Sequence, residues 1–198
     1  MLVPGLWFGR PALWLLAYRL ARYGFRVHLY PYRSLRQAHP EACEDLAGYL
    51  AACAARYVVG YSLGGVLVLA VCSRYPDVYT RAVTLGAPFR GSRVVRRLWR
   101  CPGLRPLFGA AAPELLRGLR RSAPARLGVV TGTRRSWGLA AWGLEEKPHD
   151  GVVSAAEARL RGAADTVALP VSHLGLVTRA LSARAVAAYL IRGRWGDL

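Results

Sequence analysis

A serine framed by glycines, Gly60-Tyr61-Ser62-Leu63-Gly64, restricts the fold of this chain more than any other feature. The run Tyr57-Val58-Val59 directly before it predicts a β-strand, and the apolar run that starts at Leu63 predicts a buried helix. Glycines let a strand and a helix approach closely across a tight turn, where a serine hydroxyl is exposed for attack. Ser62 is therefore a candidate nucleophile. The alternative is a glycine-rich turn with a solvated serine.

Short β-branched or aromatic runs alternate with longer helical patterns, which is typical of parallel strands joined by helical crossovers. The predicted helices cover residues 11–23, 41–55, 63–75 and 176–192, and the predicted strands cover residues 2–3, 25–30, 57–61, 82–85, 128–131 and 166–169. We therefore predict an α/β fold, a three-layer α/β/α sandwich with a mostly parallel sheet of about six strands. A length of 198 residues suits a single domain, 1–198.

Residues 90–126, called here the 90–126 segment, interrupt this alternation between two strands, where a cap could lie. They contain ten arginines and two short helical patterns. Residues 92–100 set Val95, Leu98 and Trp99 against arginines, which gives an amphipathic cationic pattern. The pattern favours an ordinary surface helix with a solvated basic face over a helix that rests on a lipid surface.

A serine hydroxyl is a poor nucleophile at neutral pH, so a base must take its proton and an acid must orient that base. After a nucleophile elbow the usual chain order is serine, acid, histidine. His28 and His39 precede Ser62, and His149 has no convincing acid between it and the serine. His173 follows the last predicted strand and precedes the last predicted helix, which makes it the candidate base.

The candidate acid is Asp150, which lies on a predicted loop between the serine and the base, with a glycine after it. Asp77 ends the helix that follows the elbow and points away from it. Asp165 starts a strand, which places it at the opposite edge of the sheet. Glu145 and Glu146 stay open as alternatives.

Attack by the serine creates an oxyanion, which needs backbone N–H groups as hydrogen-bond donors. We predict that Leu63 supplies one N–H at the positive end of its helix, and that Leu6 supplies the other from the loop after the first strand. Trp7, Trp137 and Trp142 are the candidate contacts for an apolar acyl chain, although packing between loops explains these tryptophans equally well.

Together these residues resemble the small bacterial lipases and esterases of the α/β-hydrolase superfamily, in particular the compact triacylglycerol-lipase group without a large cap. Val3-Pro4-Gly5-Leu6-Trp7 looks like the oxyanion loop of that group, and residues 60–65 look like its elbow. Asp150-Gly151-Val152-Val153 and Ser172-His173 look like its acid and base loops. The resemblance implies cleavage of a small-molecule or lipid carboxylic ester through an acyl-enzyme, without metal or cofactor.

Two rival functions share these residues. An acyltransferase would use the same serine, histidine and aspartate with an alcohol or thiol in place of water. A binding protein of the same fold would have lost catalysis, because Pro4 stands where the family usually has histidine and removes an N–H. The first strand has only two residues, so we expect either a chain start further upstream or an impaired oxyanion loop.

The formal net charge of +17 would attract polyanions. Lys147 is the only lysine among 28 basic residues, and the arginines are spread along the chain without a basic tail. We therefore expect peripheral contact with an anionic membrane surface more than nucleic-acid binding. The chain opens without the pattern of a secretory signal peptide, which favours a cytoplasmic location. Its four cysteines have no spacing typical of a zinc site.

Overall fold

A computed structural model describes residues 1–119, 121–135 and 147–196. Within these residues one parallel sheet contains five strands, and their order across the sheet is their order along the chain. The strands are β1 (Leu2–Val3), β2 (Tyr57–Tyr61), β3 (Arg81–Leu85), β4 (Leu127–Gly132) and β5 (Asp165–Leu169). Because all five are parallel, their carboxyl ends meet at one edge of the sheet.

The prediction of about six strands is wrong by one, since residues 25–30 do not form a strand. This segment runs beside β1 but makes only one bridge, between Leu29 and Leu2. The N–H of Leu2 donates to His28 O at 2.8 Å, and the N–H of Tyr30 donates to Leu2 O at 2.9 Å. Alternate residues of a parallel strand direct their peptide groups to opposite neighbours. In the two-residue strand β1, only Leu2 therefore directs its peptide groups toward residues 25–30.

Helices cover both faces of the sheet, as the predicted three-layer sandwich requires. On one face, α2 (His39–Ala52) and α3 (Leu63–Arg74) pack against a set of strand residues. That set comprises Val3, Val58, Ala82 and Val129. On the other face, α1 (Trp14–Ala21), α6 (Gly175–Thr178) and α7 (Ala180–Arg192) pack against the alternate strand residues. These are Leu2, Val59, Val83, Val130 and Leu169.

The predicted helix 176–192 is two helices, because Arg179 has an extended backbone (φ −90°, ψ 143°). The side chain of Arg19 donates a hydrogen bond to the carbonyl of Thr178. In a continuous helix this carbonyl would accept from the amide four residues later. A contact from α1 thus satisfies the group at which the helix is interrupted. The predicted helix 11–23 is shorter than expected, because Arg10–Leu13 forms a 3-10 turn before α1.

The 90–126 segment contains two short helices, α4 (Arg93–Leu98) and α5 (Ala112–Arg117), and the 3-10 segments Pro102–Leu107 and Gly109–Ala111. Its apolar side chains form a third core cluster together with Leu6, from the loop after β1, and Leu63, the first residue of α3. The segment therefore packs over the carboxyl edge of the sheet, beside Ser62. None of the helices in the described part of the chain is long and apolar enough to span a membrane.

Candidate active site

Ser62 lies between the last residue of β2 and the first residue of α3, the predicted strand–turn–helix. Its backbone is in a strained region (φ 53°, ψ −122°) that residues with a side chain rarely adopt. The N–H of Ser62 donates to Leu85 O at 2.8 Å, and the N–H of Gly65 donates to Ser62 O at 2.9 Å. Bonds to β3 and within the turn therefore hold the strained residue in place.

Close packing at the elbow explains its glycines. A Cβ atom on Gly60 would lie 2.6 Å from the Cα atom of Gly65, and a Cβ atom on Gly64 would lie 2.5 Å from Val3 O. Either separation is shorter than a non-bonded contact allows. The start of α3 can therefore lie against β2 and β1 only if both positions are glycine.

Asp150 and His173 form a buried pair, with 2.6 Å between Asp150 Oδ2 and His173 Nδ1. The side chain of Asp150 is 1% exposed and that of His173 is 7% exposed. The other carboxylate oxygen, Asp150 Oδ1, accepts hydrogen bonds from the amides of Val152 at 2.9 Å and Val153 at 2.8 Å. The amide of His173 donates to Asp150 O at 2.8 Å, which joins the acid loop to the base loop.

Two residues near this pair were not assigned a role from the sequence. The ring centroid of Tyr61 lies 4.9 Å from that of His173, and the Tyr61 hydroxyl donates to His173 O at 3.3 Å. Burial raises the pKa of Tyr61, and the negative charge of Asp150 raises it further, so the phenol keeps its proton. Gly86 follows β3 with φ +56°, and a Cβ atom there would lie 3.0 Å from Asp150 Oδ2.

A cleft of about 270 Å³ opens beside the serine, and both Ser62 and His173 line it. Leu6 and Trp7 line the same cleft from the loop after β1. The remaining wall is mainly apolar and includes Phe8, Val94, Val95, Leu98, Phe108 and Leu115. Val94, Val95 and Leu98 line this cleft. The apolar side of α4 therefore faces the cleft and not solvent or a lipid surface.

Of the two predicted oxyanion donors, Leu63 directly follows the serine in the chain, and Leu6 lines the same cleft as the serine. Leu63 is the first residue of α3, a position whose N–H has no acceptor within the helix. Leu6 lies in the turn after β1, and Pro4 removes the N–H of its own residue but not that of Leu6. Trp7 has φ 60°, and its indole N–H donates to Leu107 O at 2.6 Å, which ties this loop to the 90–126 segment.

Asp165, Asp77 and His149, which the sequence also offered, lie in other surroundings. Asp165 starts β5 and accepts from the amide of Trp195 at 2.9 Å, away from the cleft. Asp77 is exposed beyond the end of α3. His149 is buried, and its Nδ1 accepts from the amide of Gly151 at 3.1 Å. Trp137, Trp142, Glu145 and Glu146 lie outside the described residues.

Glu157 is a buried carboxylate for which the sequence predicted no role. One oxygen accepts from the amide of Ser154 at 2.7 Å, and the other accepts from the amide of Arg93 at 2.5 Å. The carboxylate thus connects the segment after Asp150 to the start of α4, which lines the cleft. No sequence pattern could predict these contacts, because both hydrogen-bond donors are backbone amides, which every residue type except proline has. The described side chains include no group of three or more His, Cys, Asp or Glu that could hold a metal ion.

No protein-family model matches the chain, and no curated protein matches it in sequence. Solved structures do match. The lipase BlEst2 of Bacillus licheniformis, in its mature form, gives a TM-score of 0.79 at 17% identity over 96% of this chain and 89% of that chain. The pyrethroid hydrolase PytH gives 0.67 at 15% identity over 97% of both chains. A meta-cleavage product hydrolase from Pseudomonas fluorescens gives 0.65 at 15% identity over 97% and 90%.

The chain has the α/β-hydrolase fold. The fold prediction made from the sequence is therefore confirmed, apart from the number of strands. In an α/β-hydrolase fold the nucleophile follows a central strand, and the acid and the base follow later strands at the same edge. Ser62, Asp150 and His173 occupy positions of this kind, after β2, β4 and β5 respectively.

Proposed function

We propose that the protein is a serine hydrolase that cleaves carboxylic esters, with Ser62 as nucleophile, His173 as base and Asp150 as the acid that orients the base. The observation that carries the proposal is the buried Asp150–His173 hydrogen bond beside a cleft that Ser62 also lines. The fold adds support, because the matched structures include a lipase and two other hydrolases.

The pair sets the tautomer of the histidine. An ionised carboxylate only accepts hydrogen bonds, so Nδ1 of His173 must carry the proton that Asp150 Oδ2 accepts. The lone pair of Nε2 is then free to take the proton of Ser62 as its Oγ attacks the ester carbonyl. The protonated imidazole next gives this proton to the departing alcohol, which leaves an acyl group on Oγ. Water hydrolyses that acyl-enzyme by the same two proton transfers.

The amides of Leu63 and Leu6 would stabilise the oxyanion that forms in both steps. Leu63 has its N–H at the start of α3, where the helix dipole also favours negative charge. Leu6 lines the cleft from the loop after β1. One such donor typically lowers the barrier by about 3 kcal/mol.

The substrate would be a small-molecule or lipid ester with an apolar acyl group, since the cleft wall is mainly apolar. Trp7 would contact this group from the rim. The reaction derived above needs no metal and no cofactor. Transfer of the acyl group to an alcohol would follow the same first step, with the alcohol in place of water in the second.

Contact with an anionic membrane surface is a second part of the proposal. Exposed apolar side chains surround the mouth of the cleft: Trp7 is 52% exposed, Phe8 37% and Leu174 51%. Arg33 and Arg36 line a groove that shares Trp7 and Phe8 with this mouth. Apolar side chains next to cations suit an interface with acidic lipids. Sedimentation with phosphatidylglycerol vesicles should fall in Phe8→Ser, whereas sedimentation equal to the unchanged protein would contradict the contact.

A fluorophosphonate probe tests the catalytic proposal, because it labels only an activated serine. We expect labelling of the wild-type protein, loss of labelling in Ser62→Ala, and full labelling in the control Ser73→Ala at the far end of α3. p-Nitrophenyl esters of increasing acyl length, with and without a competing alcohol, would then give the substrate range and the acceptor. A folded wild-type protein that the probe does not label would contradict the proposal.

A further inference from the structure

Five arginines line a pocket of about 450 Å³ that shares no residue with the active-site cleft. We call it the arginine pocket. Its apolar lining residues are Phe89, Leu119 and Leu160. Its arginines are Arg90, Arg117, Arg121, Arg159 and Arg161, and Ser122 completes the lining.

Backbone hydrogen bonds fix the three chain segments that form this pocket. The amide of Arg90 donates to Glu157 O at 3.0 Å, and the amide of Leu119 donates to Phe89 O at 2.8 Å. The amide of Ala123 donates to Arg161 O at 2.7 Å. Gly118 has φ +72°, and a Cβ atom there would collide with Phe89 O. The pocket therefore rests on a defined backbone frame and not on mobile side chains alone.

The pocket concentrates positive charge that is only partly compensated: the charge of Arg117 acts on the carboxylate of Glu114, which lies outside the lining. Its lining includes no acidic side chain, and none of its five arginines forms an ion pair within the described residues. Glu157 contributes its backbone to the frame, but its carboxylate faces the amides of Ser154 and Arg93. Five guanidinium groups around one concavity repel each other, and an anion that enters it would relieve this repulsion.

We propose that the arginine pocket binds a small organic polyanion that carries two or more phosphate groups. The guanidinium fork matches phosphate oxygens in a bidentate geometry, and five forks can hold more than one phosphate. The volume of the pocket lies within the range of small-molecule sites, about 300–1,000 Å³. Leu119 and Leu160 would contact the apolar part of the ligand.

A small ligand suits the pocket better than a nucleic acid. Nucleic-acid phosphates are spaced along a strand and require a track of cations. These arginines instead surround one concavity. Phe89, the aromatic residue of the lining, is 2% exposed and so offers no face to a stacked base.

Isothermal titration calorimetry of the full chain with inorganic pyrophosphate and with adenosine diphosphate, at about 150 mM salt, tests the proposal. The test variant is Arg159→Gln with Arg161→Gln, two exposed arginines of the pocket. The control is Arg22→Gln with Arg184→Gln, which removes the same charge from exposed positions outside the pocket. We expect saturable binding that weakens about tenfold or more in the test variant and stays unchanged in the control.

Hydrolysis of a neutral p-nitrophenyl ester should be equal in both variants, so this test is independent of the catalytic proposal. Equal weakening in test and control variants would overturn the proposal, because it would show a general charge effect. Absence of pyrophosphate and adenosine diphosphate binding would also overturn it. So would a test variant that loses binding of duplex DNA or of anionic vesicles while neither phosphate compound binds the unchanged protein.

Discussion

Oδ2 of Asp150 lies 2.6 Å from Nδ1 of His173, while Oδ1 of the same carboxylate accepts two backbone amides of its own loop. The two oxygens therefore have separate roles. One oxygen holds the loop in shape, and the other holds the imidazole.

This division makes Asp150→Asn an informative variant. The amide oxygen can keep both loop bonds while the NH₂ group faces Nδ1 and favours the wrong tautomer. We expect kcat for ester hydrolysis to fall about 10⁴-fold with little loss of stability. Asp77→Asn, at an exposed position beyond α3, should leave kcat unchanged. Full activity of Asp150→Asn would show that the carboxylate does not orient the base.

Gly86→Ala should damage the same pair sterically. Its Cβ atom would lie 2.7 Å from Leu176 Cδ1 and 3.0 Å from Asp150 Oδ2, at a φ of +56°. We expect a stability loss of about 2 kcal/mol from the backbone alone and a marked loss of esterase activity. The control is Gly48→Ala within α2, where a Cβ atom meets nothing within 4 Å and should stabilise the protein by about 1 kcal/mol. Thermal unfolding and an esterase assay measure both effects.

Leu98→Trp tests whether the cleft holds the acyl chain, because Leu98 lines the cleft from α4. The larger side chain would fill space that a long acyl chain needs. We expect kcat/KM for an octanoate ester to fall about tenfold relative to an acetate ester. Arg97→Trp, on an exposed position of the same helix, should leave the ratio of the two esters unchanged. An unchanged ratio in Leu98→Trp would place the acyl chain elsewhere.

Glu157→Gln should lower the free energy of unfolding by about 1 to 3 kcal/mol, because an NH₂ group would then face an amide donor of Ser154 or Arg93. The control Glu44→Gln removes an exposed carboxylate whose ion pair with Arg74 lies at the surface. It should change stability by less than about 1 kcal/mol. Urea unfolding of both variants measures the difference, and equal stabilities would contradict the structural role of Glu157.

His39 should make the fold sensitive to acid. Burial lowers its pKa below the usual 6.5, and the charge of Arg121 lowers it further. Below the usual pKa the unfolded chain binds a proton that the folded protein does not, so the free energy of unfolding falls as pH falls. The slope is at most about 1.4 kcal/mol per pH unit. Between about pH 7.5 and 5.5, the free energy of unfolding measured with urea should depend less on pH in His39→Leu than in the unchanged protein. An equal pH dependence in the two proteins would contradict the role of His39.

The elbow and the order of elements could be predicted from the sequence because they depend on local patterns. Glycine spacing and apolar runs identify the turn at Ser62 and the strand and helix around it. Features that depend on distant partners could not be predicted. Residues 25–30 fail to form a strand because β1 offers them only Leu2, and the last helix is interrupted where Arg19 binds Thr178 O.

The same distinction applies to the site. His173 and Asp150 could be selected by chain order, but their hydrogen bond depends on how two separate loops meet. Tyr61 is recognisable in the sequence as the residue before the serine, yet its contact with the imidazole depends on the position of His173, 112 residues later in the chain. The apolar lining from α4 and α5 could not be separated from ordinary core residues, because both are apolar patterns on short helices.

Each strand of the sheet lies beside the strand that precedes it in the chain. During synthesis every new strand can therefore dock on one that has already left the ribosome, without waiting for a later partner. The turn that holds Ser62 is made early, between the second and third strands, whereas His173 emerges only after the fifth. Under the proposed mechanism, a nascent chain would carry its nucleophile without a base while residues 63–172 are synthesised, and the order of the strands would delay activity until the fifth strand has formed.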